Sequence, residues 1–208
     1  MNEPVRRSPL ARMHGRLGAV LDREDDWELV SRYGDERDER ALLAGAVALV
    51  DITPRGKVDV RGGIELPLAS AGDALVARVS GEWALVLTEP GGEEVLVPKM
   101  ESAAGTGAMV TDATHLFAGF ALAGPALPEA LARLTSWDPA TLEPGKATGA
   151  PIADVRAVLL RRDLDVPVLE AYVATEFARY AWDAVLDAVR RSGGGPVGWT
   201  ALRAQGWS

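Results

Sequence analysis

The opening residues alternate between polar and apolar positions with the period of an α-helix. Ser8-Pro9 precedes the apolar positions, and serine followed by proline is typical of a helix N-terminus, so Ser8 is the predicted N-cap. The sequence therefore predicts an amphipathic helix before the highly charged stretch at 22–40. The apolar residues that share one face of this helix are Leu10, Met13, Leu17 and Val20.

Strand patterns dominate the middle of the chain. A run at 46–52 is apolar except for Asp51, and a strictly alternating run covers 57–61. Together they predict a pair of strands around the break at Pro54-Arg55-Gly56. Runs at 74–79 and 83–87 flank a short glycine-containing loop and predict an antiparallel hairpin. Further strands are predicted at 115–122, 155–160 and 166–173.

Helical spacing returns in the second half of the chain. One helix is predicted at 126–134, and a longer one begins near Thr175, its predicted N-cap. The apolar face of the longer helix is so broad that we expect Trp182 to be buried. A triple glycine follows this helix and leads into a short helical tail at 199–205.

The order of these elements predicts an α+β fold. Strands and helices follow one another without regular βαβ alternation, so two small antiparallel-sheet lobes with packed helices are expected. We expect a single compact unit over 1–208, with approximate lobes at 1–104 and 105–208.

Composition excludes several classes of protein. The chain has no cysteine, which excludes disulfides, cysteine metal ligands and a cysteine nucleophile. Its formal net charge of −8 argues against nucleic acid as a partner, since binding phosphate backbones requires concentrated Lys and Arg. Its apolar stretches fall short of the ~20 residues of a membrane span, and its start lacks the apolar core of a signal peptide. We therefore expect a cytoplasmic protein with no nucleic-acid, membrane or metal partner.

Direct signatures of catalysis are sparse. Neither His14 nor His115 has a second metal ligand at a useful spacing, so both are predicted to be structural or exposed. Asp51 stands in an otherwise apolar strand and is followed by Arg55 and Lys57. A buried acid has to be paired or hydrogen-bonded, either in a functional site or in a structural clasp, and the clasp is favoured here.

Three stretches of the chain together point to one family. Residues 45–62 contain the two predicted strands, residues 118–134 contain a strand that leads through Gly124-Pro125 into a helix, and residues 170–203 end with Pro196-Val197-Gly198 before the tail helix. In this order they resemble the folate-dependent aminomethyltransferase (T-protein) of the glycine cleavage system. Ser8-Pro9-Leu10 and Tyr33-Gly34-Asp35 fit its N-terminal lead-in. The resemblance implies the family's folate-binding fold in a shortened member, without the C-terminal barrel.

The motifs that carry folate chemistry in that family are altered in this sequence. The family has a long segment with an aspartate-bearing Gly-Gly-Ile-x-Asp-Asp strand where this chain runs from 62 to 67 almost directly into the predicted hairpin. Gly63-Ile64-Glu65 is too early and too short to replace that strand. The family's Tyr-Thr-Gly-Glu motif is replaced by residues 162–167. In lacking these motifs the chain is similar to the gamma subunit of heterotetrameric sarcosine oxidase, which accompanies flavin- and folate-bearing subunits without holding the active site.

Two functions follow as expectations from the resemblance. The favoured one is a non-catalytic subunit or accessory protein, without a cofactor, that docks on the protein subunits of an amine-oxidising or one-carbon enzyme. The alternative is a minimal aminomethyltransferase that binds tetrahydrofolate between the lobes through Asp51, Arg55 or Glu170. A stand-alone role is the third possibility. The chain has six tryptophans, and we expect Trp199 and Trp207 in the tail to remain near the surface as anchors for a partner.

Overall fold

The apolar runs of the sequence assemble into four layers. A computed structural model describes residues 4–62, 67–104 and 106–207, with the backbone alone of Asp163. In these residues a group of helices covers a six-stranded sheet, which packs on a four-stranded sheet whose far side is covered by a further helix. The segment Gly63-Ile64-Glu65 lies outside the described residues.

The six-stranded sheet is central because its strands are apolar on both faces. Residues 118–123 and residues 168–173, in its two middle strands, are all buried. Its neighbouring strands are antiparallel except for the last pair, which is parallel. In spatial order the strands are β10 (Ala147–Ile152), β11 (Val155–Asp163), β12 (Pro167–Ala174), β9 (Phe117–Ala123), β4 (Ala48–Asp51) and β13 (Gly195–Pro196).

The two faces of this sheet contribute to different cores. Leu49 and Leu159 point to the helical layer, whereas Val50 and Val158 point to the four-stranded sheet. Successive side chains alternate across a strand, so one apolar run supplies both cores. The helices of the helical layer are α1 (Ala11–Arg16), α4 (Leu127–Leu131) and α5 (Ala178–Arg191).

The four-stranded sheet is antiparallel throughout and contains the predicted hairpin. Its strands in spatial order are β6 (Leu75–Ser80), β7 (Trp83–Thr88), β5 (Gly56–Gly62) and β8 (Ala108–Asp112). Its outer face is covered by α3 (Glu93–Ala104), whose Leu96 and Met100 pack against the side chains of that face.

Smaller elements close the rim of the molecule. A three-stranded sheet has the order β1 (Arg6–Arg7), β3 (Trp27–Arg32) and β2 (Val20–Glu24). The helices α2 (Glu36–Gly45) and α6 (Trp199–Arg203) pack against each other beside it. Single turns of 3₁₀ helix occur at Leu68–Ala71, Pro139–Thr141 and Thr175–Phe177.

The predicted pairing of the strands at 46–52 and 57–61 is wrong. These strands are β4 and β5, and they belong to different sheets, because Pro54-Arg55-Gly56 carries the chain from one layer to the next. The sheets also exchange strands across residue 104, where the lobe boundary is predicted. β4 joins strands that come later in the chain, and β8 joins strands that come earlier.

Three predicted helix ends also differ from the structure. Leu10, and not Ser8, occupies the N-cap position of α1, and the Ser8 hydroxyl accepts a hydrogen bond from the Leu10 N–H at 3.2 Å. α1 ends at Arg16, and Val20 lies in β2 instead, with an exposed side chain.

Thr175 does not cap α5, because its Oγ1 donates a hydrogen bond to the carbonyl of His115 at 2.7 Å. A 3₁₀ turn precedes the helix, and Phe177 occupies the N-cap position.

The tryptophans of the tail lie inside the protein. Trp199 is 1% exposed and Trp207 is 2% exposed, so the expectation that they anchor a partner at the surface is wrong. The ring of Trp199 packs edge-on against that of Trp207, with 5.0 Å between their centres, and its Nε1 donates to the carbonyl of Asp51. The predicted burial of Trp182 is confirmed, since its exposed fraction is 0%.

Candidate functional site

Asp51 is held by a buried histidine from the first helix. His14 Nε2 lies 2.7 Å from Asp51 Oδ2, and His14 Nδ1 lies 2.7 Å from the hydroxyl of Tyr33. A ring that donates from Nε2 to the carboxylate and accepts the phenol at Nδ1 satisfies all three groups. The carboxylate also accepts a hydrogen bond from the backbone N–H of Thr53. Tyr33, His14 and Asp51 therefore form a chain of hydrogen bonds inside the protein.

The electrostatics of Asp51 follow from these contacts. Burial raises the pKa of its carboxyl, but the hydrogen bond from His14 and its electrostatic attraction, with hydrogen bonds from Ser8 and Thr53, outweigh burial and hold the pKa below its usual value. Burial, together with the negative charges of Asp51 and Glu39, raises the pKa of Tyr33. The cavity beside His14 and Asp51 has a volume of only about 10 Å³, which leaves no room for an organic ligand.

Lys57 is a buried lysine that holds the turn between the two large sheets. Its exposed fraction is 0%, and its Nζ donates to the carbonyls of Thr53, Arg55 and Thr114 at 2.8, 2.7 and 3.2 Å. Burial lowers the pKa of Lys57 to about 7, although the nearby acid Asp51 opposes this shift. The lysine therefore serves the backbone of the turn and does not point into a cleft.

Glu170 is the centre of a second buried polar cluster, between the two large sheets. Its carboxylate accepts hydrogen bonds from Tyr172 Oη at 2.6 Å, Trp207 Nε1 at 2.8 Å, Arg162 Nη1 at 3.2 Å and Arg55 Nη1 at 3.2 and 3.3 Å. The guanidinium of Arg55 also lies over the Trp207 ring, 4.8 Å from its centre. Both carboxylate oxygens are thus used within the protein. We call these five residues the Glu170 cluster.

Burial changes the acidity of the phenol in this cluster. The pKa of Tyr172 is raised far above its usual value, first by burial and then by the charge of Glu170, which opposes a second negative charge. Tyr172 therefore remains a neutral hydrogen-bond donor to the carboxylate.

One side of the Glu170 cluster reaches an open cleft. The cleft has a volume of about 660 Å³ and lies between β6, the end of β7 and β11. Arg55 and Arg162 contribute to its wall, together with Thr88 and Glu89. The Arg55 side chain is only 3% exposed, so little of its guanidinium faces the cleft.

The three residues predicted from the sequence do not converge on one ligand position. Arg55 and Glu170 are brought together as an ion pair. Asp51 lies on the opposite face of the six-stranded sheet, where it contacts the helical layer through His14. Arg162 and Trp207 were not predicted from the sequence as members of the cluster, because neither lies near the other members in a recognisable motif. His14 was accessible to sequence reasoning, because it follows Leu10 by one helical turn on the apolar face.

Two observations bear on other kinds of site. Within 4–62, 67–104 and 106–207, no helix is long and apolar enough to cross a membrane. The same residues include no group of three or more His, Asp or Glu side chains placed to hold a metal ion.

Comparison with known sequences identifies relatives of the chain. No family model matches it. It is 27% identical to an aminomethyltransferase of Streptomyces coelicolor and 26% identical to one of Geobacillus kaustophilus, in each case over 93% of this chain. The chain spans about 60% of the length of these relatives. The first alignment extends over 229 positions, more than the 208 residues of the chain, so that relative carries internal residues that the chain lacks.

Solved structures share the fold. The glycine cleavage system aminomethyltransferase T of Bartonella henselae matches 97% of this chain with a TM-score of 0.82 and 17% identity, over 62% of its own length. A chain of heterotetrameric sarcosine oxidase from Corynebacterium matches 91% of this chain with a TM-score of 0.66 and 17% identity, over 97% of its own length. These findings confirm the resemblance found in the sequence and the predicted α+β fold. The chain is a relative of the aminomethyltransferases and has the fold shared by the glycine cleavage T-protein and a sarcosine oxidase chain.

Proposed function

We propose that this protein is a non-catalytic, aminomethyltransferase-like subunit or accessory protein of an amine-oxidising or one-carbon enzyme. The observation that carries the proposal is the internal saturation of the Glu170 cluster. Arg55 and Glu170, which would contact a pterin in a folate-binding member, bind each other and three further side chains instead. A pterin at this position would have to displace buried hydrogen bonds to a charged group, each worth about 1.5–3 kcal/mol.

The remaining candidate, Asp51, gives no better support for catalysis. It is paired with His14 beside a cavity of about 10 Å³, so its carboxylate is out of reach of a substrate. General acid or base catalysis requires a group within hydrogen-bond distance of the reacting atoms. The structural match to a sarcosine oxidase chain over 97% of that chain's length also favours a role as a subunit of an assembly.

An exposed apolar patch offers a surface on which such an assembly could form. Leu116, Phe177 and Tyr180 are 59%, 45% and 55% exposed. The backbone hydrogen bond from Thr175 N–H to the carbonyl of Leu116 brings their segments together at the start of α5. Exposed large apolar side chains that cluster in this way are typical of protein–protein contacts.

A second function is favoured by one observation. The open cleft of about 660 Å³ beside Arg55 and Arg162 lies within the ~300–1,000 Å³ range of small-molecule sites. A minimal transferase could hold tetrahydrofolate there, with the two arginines near its anionic groups.

Calorimetry with 5-formyltetrahydrofolate separates the two functions. An accessory protein should give no saturable heat of binding. A one-to-one complex with a Kd of about 1 µM or below, equivalent to about −8 kcal/mol, contradicts the accessory role. If such binding occurs, Arg162→Met should weaken it. Arg78 is an exposed arginine on β6, and Arg78→Met should leave the binding unchanged.

Assembly is tested by co-expression with the subunits of amine-oxidising and one-carbon enzymes encoded beside this gene. Size-exclusion chromatography with light scattering should show a complex of fixed stoichiometry. The double variant Phe177→Ser/Tyr180→Ser should lose the complex. The control double variant Val95→Ser/Met109→Ser changes two apolar residues elsewhere that are more exposed than Phe177 and Tyr180, and it should retain the complex. A monomer in the presence of every such subunit contradicts the proposal.

A further inference from the structure

A cleft on the helical side of the six-stranded sheet is separate from the Glu170 cluster. It has a volume of about 320 Å³ and lies between α4, the loop that follows α4, and the ends of β11 and β12. Ten of its twelve lining residues are apolar, and the largest of them are Leu127, Leu131, Trp137 and Leu169. An apolar cleft with very few polar groups is the usual form of a small-molecule site.

The two polar side chains in the lining are Asp138 and Arg161. The carboxylate of Asp138 caps the following 3₁₀ turn by accepting a hydrogen bond from the N–H of Ala140 at 2.9 Å. Arg161 stands opposite Leu169 on the neighbouring strand, and its Nη1 donates to the carbonyl of Leu142 at 2.9 Å. Among the described residues Arg161 takes part in no ion pair, so its positive charge is not neutralised by a carboxylate of the described chain.

The walls of this cleft are stiff. Pro128, Pro139 and Pro167 contribute to the lining, and proline fixes one backbone torsion at each position. The loop is further braced by the hydrogen bond from Trp137 N–H to Thr135 Oγ1 at 3.1 Å. A ligand would therefore enter a preformed site and would not have to order a mobile loop.

We infer that this cleft binds a small apolar monocarboxylate. Its hydrocarbon body lies against Leu131 and Trp137, and its carboxylate accepts hydrogen bonds from the Arg161 guanidinium, whose planar fork matches a carboxylate. Arg161 is the one cation in the lining, and the Asp138 carboxylate is oriented by the Ala140 N–H. The lining can therefore pair with one negative charge but leaves a second charge, as on a phosphate or a dicarboxylate, without a counter-charge. The volume of about 320 Å³ is at the lower end of the ~300–1,000 Å³ range of ligand sites, so the ligand is small. This inference is independent of the proposed function.

The test uses 3-phenylpropanoate and its neutral amide, 3-phenylpropanamide, as probes of the full chain. Binding is followed by the indole N–H resonance of Trp137 in ¹H–¹⁵N NMR spectra, assigned with Trp137→Phe. The acid should shift this resonance saturably, and the amide should bind about tenfold more weakly or worse, because it cannot form a charge-assisted pair. Arg161→Met should reduce the affinity for the acid to that for the amide. Arg156 is an exposed arginine of the same strand that lies outside this cleft, so Arg156→Met should leave both affinities unchanged.

Three results would overturn the inference. They are the absence of a saturable shift at about 10 mM acid, equal affinities for the acid and the amide, and full affinity in a folded Arg161→Met variant. If Arg161→Met does not fold, Ala132→Phe provides the second test. Ala132 is an exposed lining residue, so a phenyl group there fills the cleft without entering the core. Binding that persists in Ala132→Phe places the site elsewhere and refutes the inference.

Discussion

Replacing Glu170 by alanine should destabilise the protein strongly if the Glu170 cluster is structural. Glu170 is 0% exposed and accepts hydrogen bonds from four side chains. Its removal leaves the guanidinium of Arg55, itself 2% exposed as a residue, without its buried counter-charge. An uncompensated buried charge of this kind costs about 3–5 kcal/mol. The phenol of Tyr172 and the indole N–H of Trp207 lose their acceptor as well, so we expect the upper part of this range.

The assay is chemical unfolding of the purified chain, with thermal unfolding as a second measurement. For a protein of this size each kcal/mol corresponds to about 2–4 °C in Tm, so a cost of about 4–5 kcal/mol in Glu170→Ala should lower Tm by roughly 8–20 °C. Glu170→Gln retains the volume and part of the accepting capacity and should lie between the wild type and Glu170→Ala. Glu129→Ala is the matched control, since Glu129 is an exposed acid on α4 whose partner is one turn away.

The outcome bears directly on function. Residues that exist to bind a ligand can be removed with little loss of stability, whereas residues that hold two sheets together cannot. A Glu170→Ala variant that unfolds at the same denaturant concentration as the wild type would refute the view that the cluster is structural. The accessory role would then lose the observation on which it rests.

Three further predictions concern the interior. Trp182→Ala should lower the free energy of unfolding by about 3–5 kcal/mol, because it leaves a cavity. Trp182→Phe should cost less, because the indole N–H that it removes has no hydrogen-bond partner among the described residues. Equal unfolding midpoints for the two variants contradict this prediction. The pKa of Lys57 is about 7 in the folded protein and about 10.4 in an unfolded chain. Between these pH values the unfolded state binds a proton that the folded state has lost, so the free energy of unfolding should rise from about pH 7 to about 10. Lys57→Met should remove this rise in a series of unfolding curves. Gly198→Ala should be destabilising because its Cβ would lie 2.0 Å from the carbonyl oxygen of Ser31, whereas Gly81→Ala meets no atom within 4 Å and should leave the melting temperature unchanged.

Local periodicity was sufficient to predict the fold class and seven of the thirteen strands in the described residues, but not the three-stranded sheet of β1, β2 and β3. The hairpin at 74–87 and the strands β9, β11 and β12 follow from alternating or apolar runs. An alternating run indicates a strand with one buried face, and a continuous apolar run indicates a strand that is buried on both faces. The pattern does not report which strand pairs with which. β4 and β5 are close in sequence and lie in different sheets, because a connection of four residues can either reverse the chain or pass it to another layer.

The Glu170 cluster was only partly predictable, for a physical reason. Its members come from the turn after β4, from β11, from β12 and from the tail, so no local pattern links them. In the sequence Arg162 looks like an exposed charge at a strand end, and only the fold places its guanidinium and the Trp207 indole on the same carboxylate. The triple glycine was equally ambiguous. It resembles a flexible linker, yet a Cβ on Gly194 would lie 1.8 Å from the carbonyl oxygen of Val47, so its second glycine permits close packing of two backbones.

The position of β4 in the central sheet has a consequence for biosynthesis. β4 pairs with β9 on one side and with Gly195–Pro196 on the other, so its second edge stays open until the ribosome has released almost the whole described chain. Its four residues are all buried in the finished protein and present an aggregation-prone edge in the nascent one. Chaperone occupancy during translation should therefore persist until the last strand emerges, and nascent chains stalled before residue 195 should be the ones that aggregate.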